Sequence, residues 1–213
     1  MRRMRVSLLF ASPLWVCAYA TRKSKDSHKF SDTNGKDIGE KDFKLIKRVG
    51  IELGHSSVLE HIVMSFNIDG ISRALLQELV RTRIASYTVK STRYTLGQLK
   101  SEDKFIDDSF IDFERAKKYL VFTDNKNINI KQIKHLEDLR EIITDGAPND
   151  VAKYLLPESF KTSLVMTINM RSLQNMCDMR TSHRALKEYR NLCHAIYNSL
   201  DDKYRELLSN FMH

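Results

Sequence analysis

Apolar and polar positions change period repeatedly along this chain, and each period predicts an element. Residues 5–10 read as a strand, after which Ser12-Pro13 opens a helix with proline at its first position. From 20 to 42 the chain is rich in Lys, Asp, Ser and Gly without an apolar period, which predicts an exposed, mobile loop. Leu45, Ile46, Val49 and Leu53 recur at helical spacing until Gly54. Ile62, Met64, Phe66 and Ile68 then alternate with Val63, Ser65, Asn67 and Asp69, the pattern of a half-buried strand closed by Asp69-Gly70.

Ser72 is placed to cap a helix through about Arg81, with Leu75, Leu76, Leu79 and Val80 on its apolar side and Arg73, Gln77 and Arg81 in line on another. Residues 81–94 break both periods and read as a functional loop or irregular strand. Segments 112–122 and 131–144 are amphipathic helices with solvated charge runs, separated by a polar, Asn-rich turn, and 149–155 is a short helix stopped near Pro157. Leu164, Met166, Ile168 and Met170 alternate with Val165, Thr167 and Asn169, so a strand delivers Asn169. Helices over 172–180 and 185–211 complete the chain, with Arg171 and Asn175 one turn apart.

Composition narrows the class. At 213 residues, 42% hydrophobic and a mean hydropathy of −0.41, the chain suits one domain with a real core; disorder and a multi-span membrane protein are excluded. Seven glycines and three prolines argue against collagen-like and loop-rich β architectures. Cys17, Cys177 and Cys193 form no C-x-x-C pair, which argues against a disulfide scaffold and a structural zinc site and for a reducing, cytoplasmic compartment. The net charge of +8 calls for an anionic partner: nucleic acid, a phosphorylated small molecule or a membrane surface. The basic start and the apolar run ending in Ala18-Tyr19-Ala20 also have the shape of a secretory signal, against which Pro13 stands inside the run.

No GxGxxG, P-loop, HExxH or GxSxG string is present, and His55 and His61 lack further nearby ligands, so no metal is expected. The dense feature is Arg81-Thr82-Arg83, seven residues, then Ser91, followed by Arg93-Tyr94. Guanidinium forks match phosphate oxygens and heterocycle acceptor edges. Charge alone leaves nucleotide or cofactor binding, nucleic-acid docking and a solvated basic loop all open.

This string resembles the signature of the flavin-dependent thymidylate synthases, Arg-His-Arg, seven residues, then Ser. Two further segments match in order: Gly54-His55-Ser56-Ser57-Val58-Leu59-Glu60-His61, and Asn169-x-Arg171-Ser172-Leu173-x-Asn175 with Arg180 and Arg184 beyond it. The resemblance runs from about Arg5 to the C-terminus, which returns the N-terminal apolar run to a strand and helix. It implies an α+β fold, a small mostly antiparallel sheet flanked by helices, in a single domain over 1–213 with a helical insertion around 100–148. It also implies a homotetramer with active sites shared between subunits, and FAD and NADPH as redox partners. The one-carbon unit of methylenetetrahydrofolate would pass to C5 of dUMP and give dTMP. No membrane or direct nucleic-acid contact is expected of such an enzyme.

Carried over by position, Ser57, Glu60, Arg81, Arg83, Asn169, Arg171 and Asn175 would hold FAD, with Thr82, Ile84 and Arg184 in the same set and His55 facing the flavin and folate. Ser91, Arg93, Lys153 and Arg180, with Glu78, would hold dUMP. Arg93 and Arg180 would draw electron density toward the uracil and phosphate oxygens, so Ser91, Arg93 and Arg180 form the expected catalytic set. The chain departs from the pattern at Thr82, where the family has His, at Thr88 and Val89, at Lys153 in place of Arg, and at Arg184. A Thr hydroxyl can hydrogen-bond but cannot become cationic. The polar run Lys25-Asp26-Ser27-His28 opens an alternative, transfer of the C5-methylene to an amine acceptor such as lysine, with Lys25, Asp26 and His28 recognising it. A different class, a non-catalytic nucleic-acid-binding helical module, predicts steep salt dependence and no flavin.

Overall fold

The computed structural model describes residues 4–213. Four strands, β1 (Arg5–Ala11), β2 (Val63–Ser72), β3 (Ala85–Val89) and β4 (Lys161–Asn169), form one antiparallel sheet in the order β1-β2-β4-β3. The register is fixed at both ends of the central pair: Met170 N donates to Ile62 O at 2.8 Å and Arg73 N to Phe160 O at 3.0 Å. Met64, Phe66 and Ile68 on β2 and Leu164, Met166 and Ile168 on β4 are buried, as their alternation predicts. The opposite face is polar, with Ser65 and Thr167 hydroxyls paired across strands at 2.8 Å. β2 continues past the predicted Asp69-Gly70 stop, because Gly70 takes a positive φ inside the strand without ending it.

The helices, in chain order, are α1 (Leu14–Lys23), α2 (Glu40–Lys47), α3 (Arg73–Leu79), α4 (Thr92–Thr95), α5 (Phe113–Ala116), α6 (Lys126–Thr144), α7 (Asn149–Ala152), α8 (Met170–Arg180), α9 (Lys187–Asn198) and α10 (Asp202–Leu208). The chain divides into two compact units. One takes Arg5, Ile68–Leu79 and Thr88–Leu164; the other takes Val6–Asn67, Val80–Tyr87 and Val165–His213. In the first, Leu96, Leu99, Phe105, Leu120, Ile133, Leu136 and Leu139 are buried together around α6. In the second, Ile46, Leu59, Cys177, Tyr189, Leu192, Cys193 and Leu207 are fully buried. Cys17, Cys177 and Cys193 are free thiols in the core, and burial pushes the Cys17 thiol up to about 12, far from a reactive thiolate.

Several predicted boundaries move, each for a local reason. The Ser12 hydroxyl does not cap α1; it donates to His61 O at 3.0 Å and accepts from Val63 N at 2.8 Å. The expected loop from 20 begins only after α1 ends at Lys23, and the stretch up to α2 is anchored: the buried Asp42 carboxylate takes Ser31 and Thr33 hydroxyls at 2.6 Å and Arg22 Nε at 2.5 Å. Ser72 does cap α3, accepting from Leu75 N at 3.0 Å, but α3 stops at Leu79, so Arg81 does not continue the line of Arg73 and Gln77. The predicted helix over 112–122 shrinks to one turn capped by Asp112, since Leu120 pairs with Phe160 as an antiparallel bridge. α6 starts before the predicted 131 because the Asn125 side chain caps Asn127 N and Ile128 N, turning the Asn-rich stretch into the helix's first turn. Its charge run is not wholly solvated: Glu137 and Arg140 are buried, bonded to each other at 2.6 Å, with Glu137 also accepting from Phe105 N at 2.7 Å. The expected single helix over 185–211 breaks after Asn198 and restarts at Asp202.

Candidate functional site

Helix α8 organises the predicted cofactor residues in the second unit. The Asn169 side chain caps it by accepting from Ser172 N at 2.9 Å, so the strand end is turned into a helix start by the residue the family motif places there. Arg171 and Asn175, four apart and both exposed, project from one face of the helix. The Arg171 guanidinium meets the Glu60 carboxylate at 2.5 Å, which joins α8 to the tight 3-10 turn Ser56–His61 carrying Ser57. His55 precedes that turn, with its backbone N–H on Val49 O and its ring exposed. α8 runs for 11 residues, about 16 Å along its axis, and ends at Arg180.

Residues 81–84 form a turn ahead of β3. Arg81 and Arg83 are exposed, and among the described residues neither makes a hydrogen bond or an ion pair. Ile84 holds a left-handed φ of 58° with 76% of its surface exposed, a costly conformation for a β-branched residue and a mark of a turn fixed by its surroundings. Thr82 faces inward between the two arginines, its hydroxyl 3.0 Å from the Tyr189 hydroxyl. Arg184 lies exposed between α8 and α9. This donor set suits the predicted cofactor: unpartnered guanidiniums are free to take pyrophosphate or flavin acceptor oxygens, and polar Asn, Ser and Glu side chains can take ribose and ring edges.

The predicted substrate residues divide between the units. Ser91, Arg93 and Lys153 fall in the first: Ser91 leads α4, and Arg93 is held through its backbone, since Asn149 Nδ2 donates to Arg93 O at 2.8 Å. That bond joins the segment carrying Arg93 to α7, which runs directly into the turn Lys153–Leu155. The Ser91 hydroxyl, the Arg93 guanidinium and the Lys153 ammonium make no hydrogen bond or ion pair among the described residues; Arg93 lies 5.7 Å over the Tyr94 ring. Glu78 sits half-buried on α3 of this unit, while Arg180 belongs to the second unit with the cofactor set. A cavity of about 570 Å³ in the first unit and one of about 690 Å³ in the second are lined by other residues, the former by Lys90, Tyr119 and Lys161 among them. Among the described residues no cluster of His, Cys, Asp or Glu can hold a metal ion, and no helix is long and apolar enough to cross a membrane.

The acceptor-loop candidates are not gathered into a site. Lys25 and Asp26 are exposed at a turn where Asp26 has a φ of 46°, and the His28 ring rests against Tyr19 at 4.4 Å. Two residues absent from the sequence reading prove structurally central, Asp42 and Tyr189. Tyr189 sits in the stripe Tyr189, Leu192, Cys193 and Ile196, which reads as core from its spacing alone.

The family model described as thymidylate synthase complementing protein matches residues 8–204. A flavin-dependent thymidylate synthase of Wolinella succinogenes is 48% identical over 204 residues, covering 96% of this chain and 97% of that protein. One of Campylobacter jejuni is 46% identical over 210 residues, covering 99% and 98%. The crystal structure of thymidylate synthase X from Helicobacter pylori with FAD and dUMP superposes with a TM-score of 0.91 at 42% identity, covering 99% of both chains.

Proposed function

The chain belongs to the thymidylate synthase complementing protein family, the flavin-dependent thymidylate synthases, and we propose that it uses FAD to transfer the one-carbon unit of methylenetetrahydrofolate to C5 of dUMP. The balanced reaction is dUMP, methylenetetrahydrofolate, NADPH and a proton giving dTMP, tetrahydrofolate and NADP⁺. Bound flavin supplies the redox chemistry that no side chain of this protein can perform.

The observation that carries the reading is the pair of exposed, unpartnered guanidiniums, Arg81 and Arg83, on a turn held in a left-handed conformation at Ile84. Such donors are preorganised for an anionic ligand, because no internal ion pair has to break before they bind it. Asn169, Arg171, Asn175, Glu60 and Ser57, gathered at the start of α8 and the turn bonded to it, orient the rest of the cofactor. Ser91, Arg93 and Lys153 bind the dUMP phosphate and sugar. Arg180 holds the pyrimidine carbonyl and withdraws electron density from it as charge builds on the ring. Most of the predicted ligand residues are exposed, the rest, Glu78, Thr82, Asn169 and Arg180, are half-buried, and none lines either cavity, which supports a site completed by further copies in a homotetramer.

The test is mass spectrometry of the nucleotide formed from FAD, dUMP, methylenetetrahydrofolate and NADPH, with and without free amino acids. A product heavier than dUMP by one CH₂ group, made without amino acids, is expected. An adduct that requires an amino acid overturns this reading in favour of transfer to an amine, and steep salt-dependent nucleic-acid binding without flavin overturns it in favour of a binding module.

A further inference from the structure

Thr82, which stands where the family's signature has His, is tied into the core. Thr82 sets its hydroxyl 3.0 Å from the Tyr189 hydroxyl, and its carbonyl accepts from Tyr87 OH at 2.9 Å. Tyr189 is fully buried on α9, and the Arg180 guanidinium lies 5.0 Å over its ring. Thr82, Tyr87, Arg180 and Tyr189 all lie in the second unit. We propose that Tyr189 is a positioning residue that sets the 81–84 turn through its hydroxyl and the Arg180 arm through its ring face, referencing both to one buried side chain. The proposal rests on the reading that 81–84 bind FAD and Arg180 binds dUMP.

Each contact has a definite mechanical consequence. A buried phenol must find a hydrogen-bond partner, and here it finds one in Thr82. Thr is β-branched and stiff at χ1, so fixing its hydroxyl also fixes its backbone, midway between Arg81 and Arg83. Tyr87 holds the same residue by its carbonyl, and the left-handed Ile84 follows two positions later. A guanidinium lying over an aromatic face is attracted by the ring's negative face, which fixes where the Arg180 arm sits. Burial raises the Tyr189 phenol above its ordinary value, which keeps it protonated and neutral under the cation.

The decisive variant is Tyr189→Phe, which keeps the ring and the core volume and removes only the hydroxyl. Its FAD affinity, read by quenching of flavin fluorescence, should fall about fivefold, the worth of one ordinary hydrogen bond, while dUMP affinity read by calorimetry stays within about twofold because the ring face remains. Thr82→Val should reproduce the FAD loss, Thr82→Ser should recover most of it, and the Tyr189→Phe/Thr82→Val double variant should lose no more than either alone. Tyr189→Leu, which removes the ring face, should weaken dUMP as well. In the ligand-free protein, amide hydrogen exchange over 81–84 should speed up in both Tyr189→Phe and Thr82→Val. A Tyr189→Phe protein that melts earlier yet binds FAD normally, with unchanged exchange over 81–84, overturns the proposal and leaves Tyr189 as core packing. Losses that simply add in the double variant overturn it too. If the unmodified protein binds no FAD, the functional reading falls, and the exchange measurement still decides whether Tyr189 sets the turn.

Discussion

Arg22 and Asp42 form an ion pair with both side chains out of solvent, one from the last turn of α1 and the other from the first turn of α2. The second oxygen of Asp42 takes the hydroxyls of Ser31 and Thr33, so a single carboxylate anchors the polar stretch between the two helices. Asp32 adds to this by accepting from Lys41 N at 2.8 Å and Asp42 N at 3.0 Å. Gly39 is required beside it, since a Cβ there would lie 2.3 Å from Asp32 Cγ.

Asp42→Ala should therefore destabilise the protein by about 3–5 kcal/mol, the usual cost of leaving one member of a buried pair uncompensated. Limited proteolysis should then cut between 24 and 39, and the chemical-denaturation midpoint should fall. Burial opposes the charged carboxylate, but the Ser31, Thr33 and Arg22 contacts outweigh it and hold Asp42 below the usual carboxylate range. A depressed folded value means the contribution is present above the unfolded value near 4 and is lost as pH falls through the folded one. Acid titration of stability should thus show a loss below about pH 4 that Asp42→Ala lacks.

Ile84 holds its left-handed φ with most of its side chain in solvent, so little burial offsets the backbone cost. Ile84→Gly should raise thermal stability by up to about 1 kcal/mol, as glycine relieves a conformation that costs other residues about 1–2 kcal/mol and gives some of this back as chain entropy. FAD binding should weaken in the same variant, because the turn is then free to leave the conformation that presents Arg81 and Arg83. Melting and flavin titration on one preparation measure both.

The central strands were legible because their period of two coincides with burial on one face: Met64, Phe66, Ile68, Leu164, Met166 and Ile168 are all core. Residues 117–122 were not, since their helical spacing yields to a long-range pairing of Leu120 with Phe160. The apolar spacing misses the first turn of α6 because Asn125 acts through its side chain, and a buried Asn129 bonded to Thr123 looks in sequence like any loop asparagine. The candidate site rests on motif resemblance and not on periodicity, since Arg81, Arg83 and Arg93 lie where both periods fail. Tyr189 was hidden for the opposite reason: its spacing on α9 is that of an ordinary core residue, and its hydroxyl meets Thr82 only in the folded chain.

Glu60 and Arg171 are bonded at 2.5 Å, yet each side chain remains 45% exposed. An ion pair that open to water contributes between nothing and about 1 kcal/mol. Glu60→Gln should leave the melting temperature nearly unchanged and reduce FAD affinity, separating a ligand-facing role from a structural one. A large loss of stability with normal FAD binding would reverse that assignment.

Arg81→Ala and Arg83→Ala should likewise spare the fold, since neither guanidinium has a partner in the protein to lose. A charge-assisted hydrogen bond is worth about 1.5–3 kcal/mol, so each variant should weaken FAD by about tenfold or more with the denaturation midpoint unmoved. Arg180→Ala should act on the other ligand, abolishing dUMP binding while FAD still binds. Simultaneous loss of both ligands would show that the division between the two sets is wrong.

Lys153 replaces the family's arginine with a point charge, in a turn that directly follows α7, the helix whose Asn149 holds the Arg93 carbonyl. The ammonium can neutralise one phosphate oxygen but cannot span two, and no protein group competes for it among the described residues. Lys153→Arg restores the fork at an exposed position, where the longer side chain meets no packed core. It should tighten dUMP by several-fold with FAD affinity and stability unchanged, whereas Lys153→Met should weaken dUMP about tenfold or more by removing the charge. Calorimetric titration of dUMP into the three proteins at two salt concentrations measures this, and the gain in the arginine variant should persist at the higher salt, because bidentate geometry is screened less than a bare charge. Equal dUMP affinity in all three would remove Lys153 from the substrate set.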